Sequence, residues 1–467
     1  MPRPPSRSPL SGTVPNLARC VGLSLFLTVT SAVAAPPQEA PKPAAIPAFP
    51  GAEGFGALTP GGRGGRILRV TTLDDYSPGG RDPVIPGSLR WAIDQPGPRI
   101  VVFAVAGLID LKAPLVVREP RLSVLGQSAP GDGVCLRRHP LIVRADHVIL
   151  RHLRSRPGDL EGRPSDGLSV LDARDVVIDH CSISWSTDEA LSVTGETTTR
   201  ISVQWCLIAE SLNRSVHEKG AHGYASLIRT GGDVSFHHNL YAHHVTRCPR
   251  PGTYGERRAQ LLDFRHNTVY DWHRHAGYSA SDPADMNYVG NSLRPGPTTA
   301  TTATAFRFGG PTRAHFAGNA FEGRPQVDRD NWLAVADAGL GQRMPLPFAA
   351  PAPAEPGDAR AASIKVLRDA GATLPRRDAV DRRIVEQVEQ RRGRIIDSQR
   401  EVGGWPEYRK AAVPAEADAD GDAIPDEWER LRGLKPTDPS DAARLAPTGY
   451  AWIEEYLHSL VRPAAGD

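Results

Sequence analysis

The 467-residue chain is 40% hydrophobic and 23% charged, with a formal net charge of +2. That length holds one large core plus a smaller module, and that balance excludes wholesale disorder. A charge so near zero, with arginines scattered and no basic tract, gives no reason to expect a nucleic acid, so any acidic partner must be met locally.

The first 35 residues are predicted to be an export signal. Arg3, Arg7 and Arg19 precede the apolar stretch Val21 to Val29, and Ala32-Val-Ala34 offers a small-residue cleavage site. The apolar run is shorter than the ~20 residues of a membrane span, so the expectation is a secreted protein, extracellular or periplasmic, without an anchor. Beyond Cys20, four cysteines remain (Cys135, Cys181, Cys206 and Cys248), without the CxxC spacing of zinc or redox sites. Small apolar core residues are the expectation for them, although an exported protein could oxidise Cys181 and Cys206.

The glycine-rich segments Ala48 to Gly56 and Gly61 to Gly65 lack the ending of a phosphate loop and are read as structural turns. Gly107 to Asp110 and Leu122 to Ser128 look like early coils of a repeat that then becomes explicit. VILRHLR from Val148, VIDHCSI from Val177, VQWCLIA from Val203, FHHNLYA from Phe236, FRHNTVY from Phe264, YVGNSLR from Tyr288 and FAGNAFE from Phe316 share one pattern. Their alignment places Cys181, Cys206, Asn239, Asn267, Asn291 and Asn319 at one position, roughly 24 to 33 residues apart, the period of a solenoid. Helical apolar spacing is absent and β-branched residues are frequent, so the coils are strands. The predicted fold is all-β, a right-handed parallel β-helix. The asparagines are read as a hydrogen-bonded ladder from rung to rung, with a simple tolerance of left-handed turns as the alternative.

Within the repeat, Ile178 to Arg250 joins carboxylates suited to a hard cation with an arginine, Arg247, whose i+2 neighbour is Pro249. That combination suggests a metal-assisted polysaccharide enzyme. The pairs His237-His238 and His243-His244 alternate across strand faces and lack HExxH, so surface or stacked histidines are expected, not zinc ligands. After the Pro/Ala-rich stretch Met344 to Pro356, residues 359 to 395 take helical spacing and are expected to pack along the solenoid, closing at Gly403-Gly-Trp405-Pro.

Farther on, Asp418, Asp420, Asp422, Asp426 and Glu429 occupy loop positions 1, 3, 5, 9 and 12, the oxygen spacing of a compact calcium loop. Ala423 stands where the turn glycine is usual. The loop resembles thrombospondin or dockerin calcium repeats more than a paired EF-hand, with an acidic linker as the alternative, and Asp438 and Asp441 are weaker ligand candidates. The predicted organisation is a signal at 1–35, a β-helix domain at 44–343, a linker and helical extension at 344–412 and a calcium-binding module at 413–462.

The segments AFPGAEGFG, GSLRWAI, GQSAPGDGV, VIDHCSISWSTDEALSV and HHNLYAHHVTRCPRPG together resemble secreted bacterial pectate lyases related to polysaccharide lyase family 1, over roughly residues 46 to 405. The resemblance implies a calcium-dependent enzyme that cleaves α-1,4-polygalacturonate, an acidic cell-wall polysaccharide, by β-elimination. It makes Asp166 and Asp188 metal ligands one coil apart, with Glu189 contributing because Ser192 stands where a third aspartate is frequent. Asp before Gly is also an ordinary turn residue, the alternative for Asp166 alone. Arg247 matches the catalytic arginine. Gly252 stands where a second arginine is common, so substrate grip falls to Arg250, or to Lys219 and His222, with a solvated loop lysine as the alternative for Lys219. Asp179 and His180 are read as groups that position the site, or else as a solvated Asp beside a stacked His. Two rivals follow from other classes: a glycoside hydrolase on the same fold, and a non-catalytic pectin-binding protein. A monomer is expected.

Overall fold

The computed structural model describes residues 46–80, 82–254, 259–353, 357–409 and 417–461. The expected signal peptide, its cleavage site and most of the Ala/Glu/Pro linker before Ala417 lie outside the described residues. Among the described residues no helix is long and apolar enough to cross a membrane.

Each repeat of the sequence makes one turn through three sheets. Arg174–Asp179 joins an eleven-stranded sheet, Ser182–Ser184 a nine-stranded one and Leu191–Gly195 a six-stranded one, before Thr199–Gln204 returns to the first. Every strand pair is parallel, as in Val176 to Asp179 beside Ile201 to Gln204. This is the right-handed parallel β-helix the repeat predicts, with neighbouring coils ~4.8 Å apart.

The period of two sorts the side chains. Val176 and Ile178 point into the core of the helix, whereas Val177 between them belongs to a second apolar cluster outside it. That outer cluster joins Ile100, Val102, Leu125 and Ile149 to Ile424, Leu434, Ala442, Ile453 and Leu457, so the C-terminal segment packs on the first coils of the eleven-stranded sheet. On the nine-stranded sheet, Leu207, Leu240 and Tyr270 are covered by Val366, Leu367, Val380, Ile384 and Val388 from the helices Ala359–Asp369 and Ala379–Gln390. Asp358 and Asp378 cap those helices through their side chains. Buried Arg156 reaches both Asp378 and Asp381, fastening the extension to the solenoid.

The asparagine ladder is present. Asn239 Nδ2 donates to Asn267 Oδ1 at 3.0 Å, Asn267 to Asn291 at 3.1 Å and Asn291 to Asn319 at 3.0 Å. It runs one step farther than the repeat shows, from Asn319 to Asn331 at 2.9 Å. The left-handed residue of each turn is the one before the asparagine: His238, His266, Gly290 and Gly318, with φ of 56°, 52°, 65° and 66°. Hydrogen bonding, not tolerance of that conformation, is what the amides do here. Cys181 and Cys206, at the same turn position, are free thiols buried in the core.

Of the two expectations for the histidine pairs, surface and stacked, the structure shows buried rings, with His238 stacked. His238 is buried between Trp205, at 4.3 Å, and His266, at 5.0 Å, while His243 bonds Asp271 and His244 bonds Ser211. None of them joins a candidate metal cluster among the described residues.

Candidate active site

The site lies where four consecutive coils enter the six-stranded sheet. Asp166 precedes Leu168–Leu171, Asp188 and Glu189 precede Leu191–Gly195, Tyr224 precedes Leu227–Thr230, and Arg247 precedes Arg250–Gly252. Strand register stacks these segments: Leu168 lies beside Leu191, Val193 beside Ile228, and Leu227 beside Arg250. Backbone bridges from Tyr224 to Glu189 and to Thr246 extend the pairing into the loops themselves. Residues separated by up to 81 positions in the chain therefore become neighbours.

Carboxylate oxygens of Asp166, Asp188 and Glu189 lie within 4.8 Å of one another. Asp166 is held on both sides: its Oδ2 accepts the Ser169 hydroxyl at 2.6 Å and its Oδ1 the Glu189 amide at 3.2 Å. Burial pushes the Asp166 carboxyl up to about 7; the Ser169 hydroxyl opposes that and the Asp188 charge adds to it. Ser192 is directly beside Ser169 in register and is buried, and its hydroxyl, close to Asp166, joins that of Ser169 in holding the Asp166 carboxyl down.

Arg247 adopts a left-handed φ of 68°, a conformation a bulky residue holds only where its surroundings impose it. Its Nη1 pairs with Glu189 Oε1, its Nε donates to the Tyr278 hydroxyl at 3.1 Å, and its Cζ lies 4.1 Å from the centre of the Tyr224 ring. Among the described residues Nη2 has no hydrogen-bond partner. Tyr224 and Tyr278, which hold the guanidinium, also line a cavity of about 390 Å³ together with Thr246, His273, Arg274, His275 and Arg307.

No family model matches the chain. Probable pectate lyase C of Aspergillus fumigatus is 35% identical over 430 residues, which cover 89% of this chain and 94% of that protein. The chain belongs to the pectate lyase family. It is accordingly an enzyme of the polysaccharide lyase class. A second relative, probable pectate lyase C of Neosartorya fischeri, is 34% identical with the same coverage. Among solved structures, the cedar-pollen allergen jun a 1 aligns with 68% of this chain and 92% of its own at 18% identity and a TM-score of 0.49. The curated relatives that span the chain are fungal, so the bacterial type expected from the motifs is without support.

The geometry revises several expected roles in this pectate lyase. Arg250 makes a two-pronged ion pair with Asp282, at 2.8 Å on each prong, so its guanidinium is already committed. Gly252 lies beneath that pair, and a Cβ there would run into Asp282 and Arg250 Nη1; packing explains the glycine. His222 is 7% exposed and turns onto Asp188, 2.8 Å from Oδ1, so it is not a free grip for substrate. Burial depresses its imidazole, against the pull of Asp188. Lys219 is exposed on the same loop.

Asp179 and His180 stand elsewhere. Asp179 ends a strand of the eleven-stranded sheet, where it bonds Arg151 at 2.7 Å and Gln204 at 2.8 Å, and His180 stacks between His152 and Trp205. The sequence repeat puts them next to the site in the chain but on a different sheet. Conversely, His217, Tyr224 and Tyr278 escaped sequence reasoning, because His217 and Tyr224 sit in a loop without periodicity and Tyr278 ends the short strand His275–Tyr278, which no repeat motif marks. Only the clustering of His217, His222 and Tyr224 within eight residues hinted at them.

The lyase's C-terminal loop forms a second acidic cluster. Ligand oxygens of Asp418, Asp420 and Asp422 lie within 4.8 Å of one another, as do those of Asp422, Glu429 and Asp441. Asp420 Oδ2, Asp422 Oδ2, both Glu429 oxygens and Asp441 Oδ1 are buried and unpartnered among the described residues. Burial and neighbouring carboxylates push Asp422 up to about 8 and Glu429 up to about 7. Asp426 departs from its expected place: it accepts the Ala419 amide and pairs with Arg430, and Asp441 takes its part in the cluster. Asp438 instead caps Ser440. Ala423 holds φ at 76°, the conformation for which a glycine is usual.

Proposed function

We propose that this protein is an exported, calcium-dependent pectate lyase that cleaves α-1,4-polygalacturonate by β-elimination and releases unsaturated oligogalacturonides. The observation that carries the reading is the cluster of Asp166, Asp188 and Glu189 with Arg247 ion-paired to one of its members.

The donor set fits the ion. Calcium takes oxygen ligands at ~2.3–2.6 Å, so ligand atoms around it lie up to ~5 Å apart, and the carboxylates meet that limit. The raised Asp166 carboxyl supports the same reading, because two half-buried acids side by side are relieved by a divalent cation. Bound there, calcium supplies a positive charge that draws uronate carboxylates to the protein and makes the C5 proton more acidic.

Elimination passes the C5 proton to a base, either Arg247 or hydroxide from solvent, forms the C4–C5 double bond and breaks the bond to the 4-linked oxygen, which leaves with a proton from water. Arg247 is the residue assigned to that centre. Tyr224, Tyr278 and Glu189 hold three sides of its guanidinium and leave Nη2 for substrate. A guanidinium is a poor base. Its pairing with Glu189 favours the other role, an oriented cation that stabilises the enolate-like charge. The C-terminal cluster is assigned to a structural calcium ion held by Asp418, Asp420, Asp422, Glu429 and Asp441, and residues 1–35 to export.

The test is incubation of purified protein with polygalacturonate and calcium, with and without chelator. Ultraviolet-absorbing unsaturated ends that vanish with chelator are expected. Saturated ends alone would transfer the protein to the hydrolases, and substrate binding without any cleavage would make it a pectin-binding protein.

A further inference from the structure

The loop between Glu210 and Ser226 contributes no residue to the carboxylate cluster, yet it packs an unbroken stack of side chains between the two halves of the site. His217 and His222 lie ring on ring, with centroids 3.8 Å apart and planes at 13°. His222 meets Tyr224 at 4.1 Å, and Tyr224 in turn lies under the Arg247 guanidinium, also at 4.1 Å. Both imidazoles direct Nε2 at the same atom, Asp188 Oδ1, at 2.8 Å from His222 and 3.7 Å from His217. One end of the stack thus holds a carboxylate of the cluster, and the other end holds the arginine.

Two histidines and an aspartate are also a familiar metal triad, and here the hydrogen bonds argue against one. The Lys219 amide donates to His217 Nδ1 at 3.1 Å. A neutral imidazole that accepts at Nδ1 carries its proton on Nε2, so this nitrogen, 3.7 Å from Asp188 and beyond hydrogen-bond reach of it, has no lone pair for a metal. Nearly parallel rings also send their nitrogens side by side, not to the corners of a coordination tetrahedron.

We propose that His217, His222 and Tyr224 are positioning residues: the histidines orient Asp188 for calcium, and Tyr224 orients Arg247 for the substrate. The loop around them is tied for that task. His222 N–H bonds the Asn213 carbonyl at 2.8 Å, the Ala190 amide bonds the Tyr224 carbonyl at 3.0 Å, and the Ala225 amide bonds the Thr246 carbonyl at 3.0 Å. Tyr224 is therefore built into the backbone pairing of both flanking coils, and its ring has little freedom to leave the guanidinium. A cation over an aromatic face needs the ring and not the hydroxyl, which separates the role of Tyr224 from that of Tyr278, whose hydroxyl makes the contact.

The inference rests on the calcium-lyase reading, and its test separates the two. Calcium binding is titrated directly by calorimetry on wild type, His222→Leu and His222→Gln, and kinetics are measured on Tyr224→Leu and Tyr224→Phe. His222→Leu is expected to weaken calcium binding at this site about tenfold, and His222→Gln, which keeps an N–H donor, to recover most of that loss. Tyr224→Leu is expected to lower kcat about tenfold with a smaller change in KM, while Tyr224→Phe stays within about threefold of wild type. Equal calcium affinity in His222→Leu and wild type, or an equal loss in the two Tyr224 variants, overturns the proposal while leaving the lyase reading intact. A wild-type protein without calcium-dependent cleavage overturns both. If His222→Leu does not fold, the comparison of His222→Ala with His222→Gln decides: calcium affinity in His222→Ala equal to that of wild type refutes the positioning role.

Discussion

Replacing Asn267 by alanine tests whether the asparagine ladder holds the coils together. Asn267 is 1% exposed. Its Oδ1 accepts the Asn239 amide at 2.9 Å and Asn239 Nδ2 at 3.0 Å, and its Nδ2 donates to the Phe236 carbonyl at 3.0 Å and to Asn291 Oδ1 at 3.1 Å. Two of those partners keep a substitute: Asn239 Nδ2 still reaches the Val203 carbonyl, and Asn291 Oδ1 still accepts the Asn267 amide. The Asn239 amide keeps none, and leaving it buried costs about 1–3 kcal/mol. The other three bonds contribute about 0.5–1.5 kcal/mol each. The expected destabilisation is about 3–7 kcal/mol, large against the marginal stability of folded proteins. Cys206→Ala, at the same turn one coil before Asn239, removes weak thiol contacts to the Ile178 and Gln204 carbonyls and is expected to cost about 1–2 kcal/mol. Urea unfolding followed by circular dichroism, at fixed calcium, reads both variants through their midpoints. If Asn267→Ala costs less than about 1 kcal/mol, or no more than Cys206→Ala, the ladder is ornament and the apolar core alone holds the coils.

Arg247→Lys should lower kcat/KM on polygalacturonate by at least about a hundredfold, because an ammonium cannot pair with Glu189, meet Tyr278 and present a third nitrogen at once; retention within tenfold would remove Arg247 from the chemistry. Calcium demand should rise on acidification. With Asp166 near 7, its charged fraction falls from about nine-tenths at pH 8 to about one-tenth at pH 6, and the ion must displace that proton, so affinity at the active site should drop about tenfold. A calcium affinity independent of pH across that interval would contradict this. Saturating calcium should raise the melting temperature through the C-terminal loop, by about 2.7 kcal/mol of stability at a hundred times the dissociation constant. Asp441→Asn should abolish most of that gain and Asp426→Asn should not, a contrast that differential scanning calorimetry can reverse if the sequence spacing, and not the folded geometry, identifies the ligands.

The sequence by itself determined the architecture. A turn position recurring every 24 to 33 residues between β-branched runs has few solutions other than stacked coils, and Asn239, Asn267, Asn291 and Asn319 were legible because each satisfies the same need in its own coil. It also marked Asp166, Asp188, Glu189 and Arg247, since each lies beside a motif of its own. What each side chain does within the site was decided by the tertiary structure. Arg250 meets Asp282, and His222 meets Asp188, across loops of unequal length that carry no period. Asp441 replaces Asp426 in the second cluster because the chain after Leu434 folds back over the loop, with the Lys435 amide bonded to Asp441 Oδ2 at 2.9 Å. A repeat specifies the spacing of coils because every rung must stack on the next. The direction of a side chain in a connecting loop depends on what the neighbouring coils place against it, and that appears only when the coils are wound together.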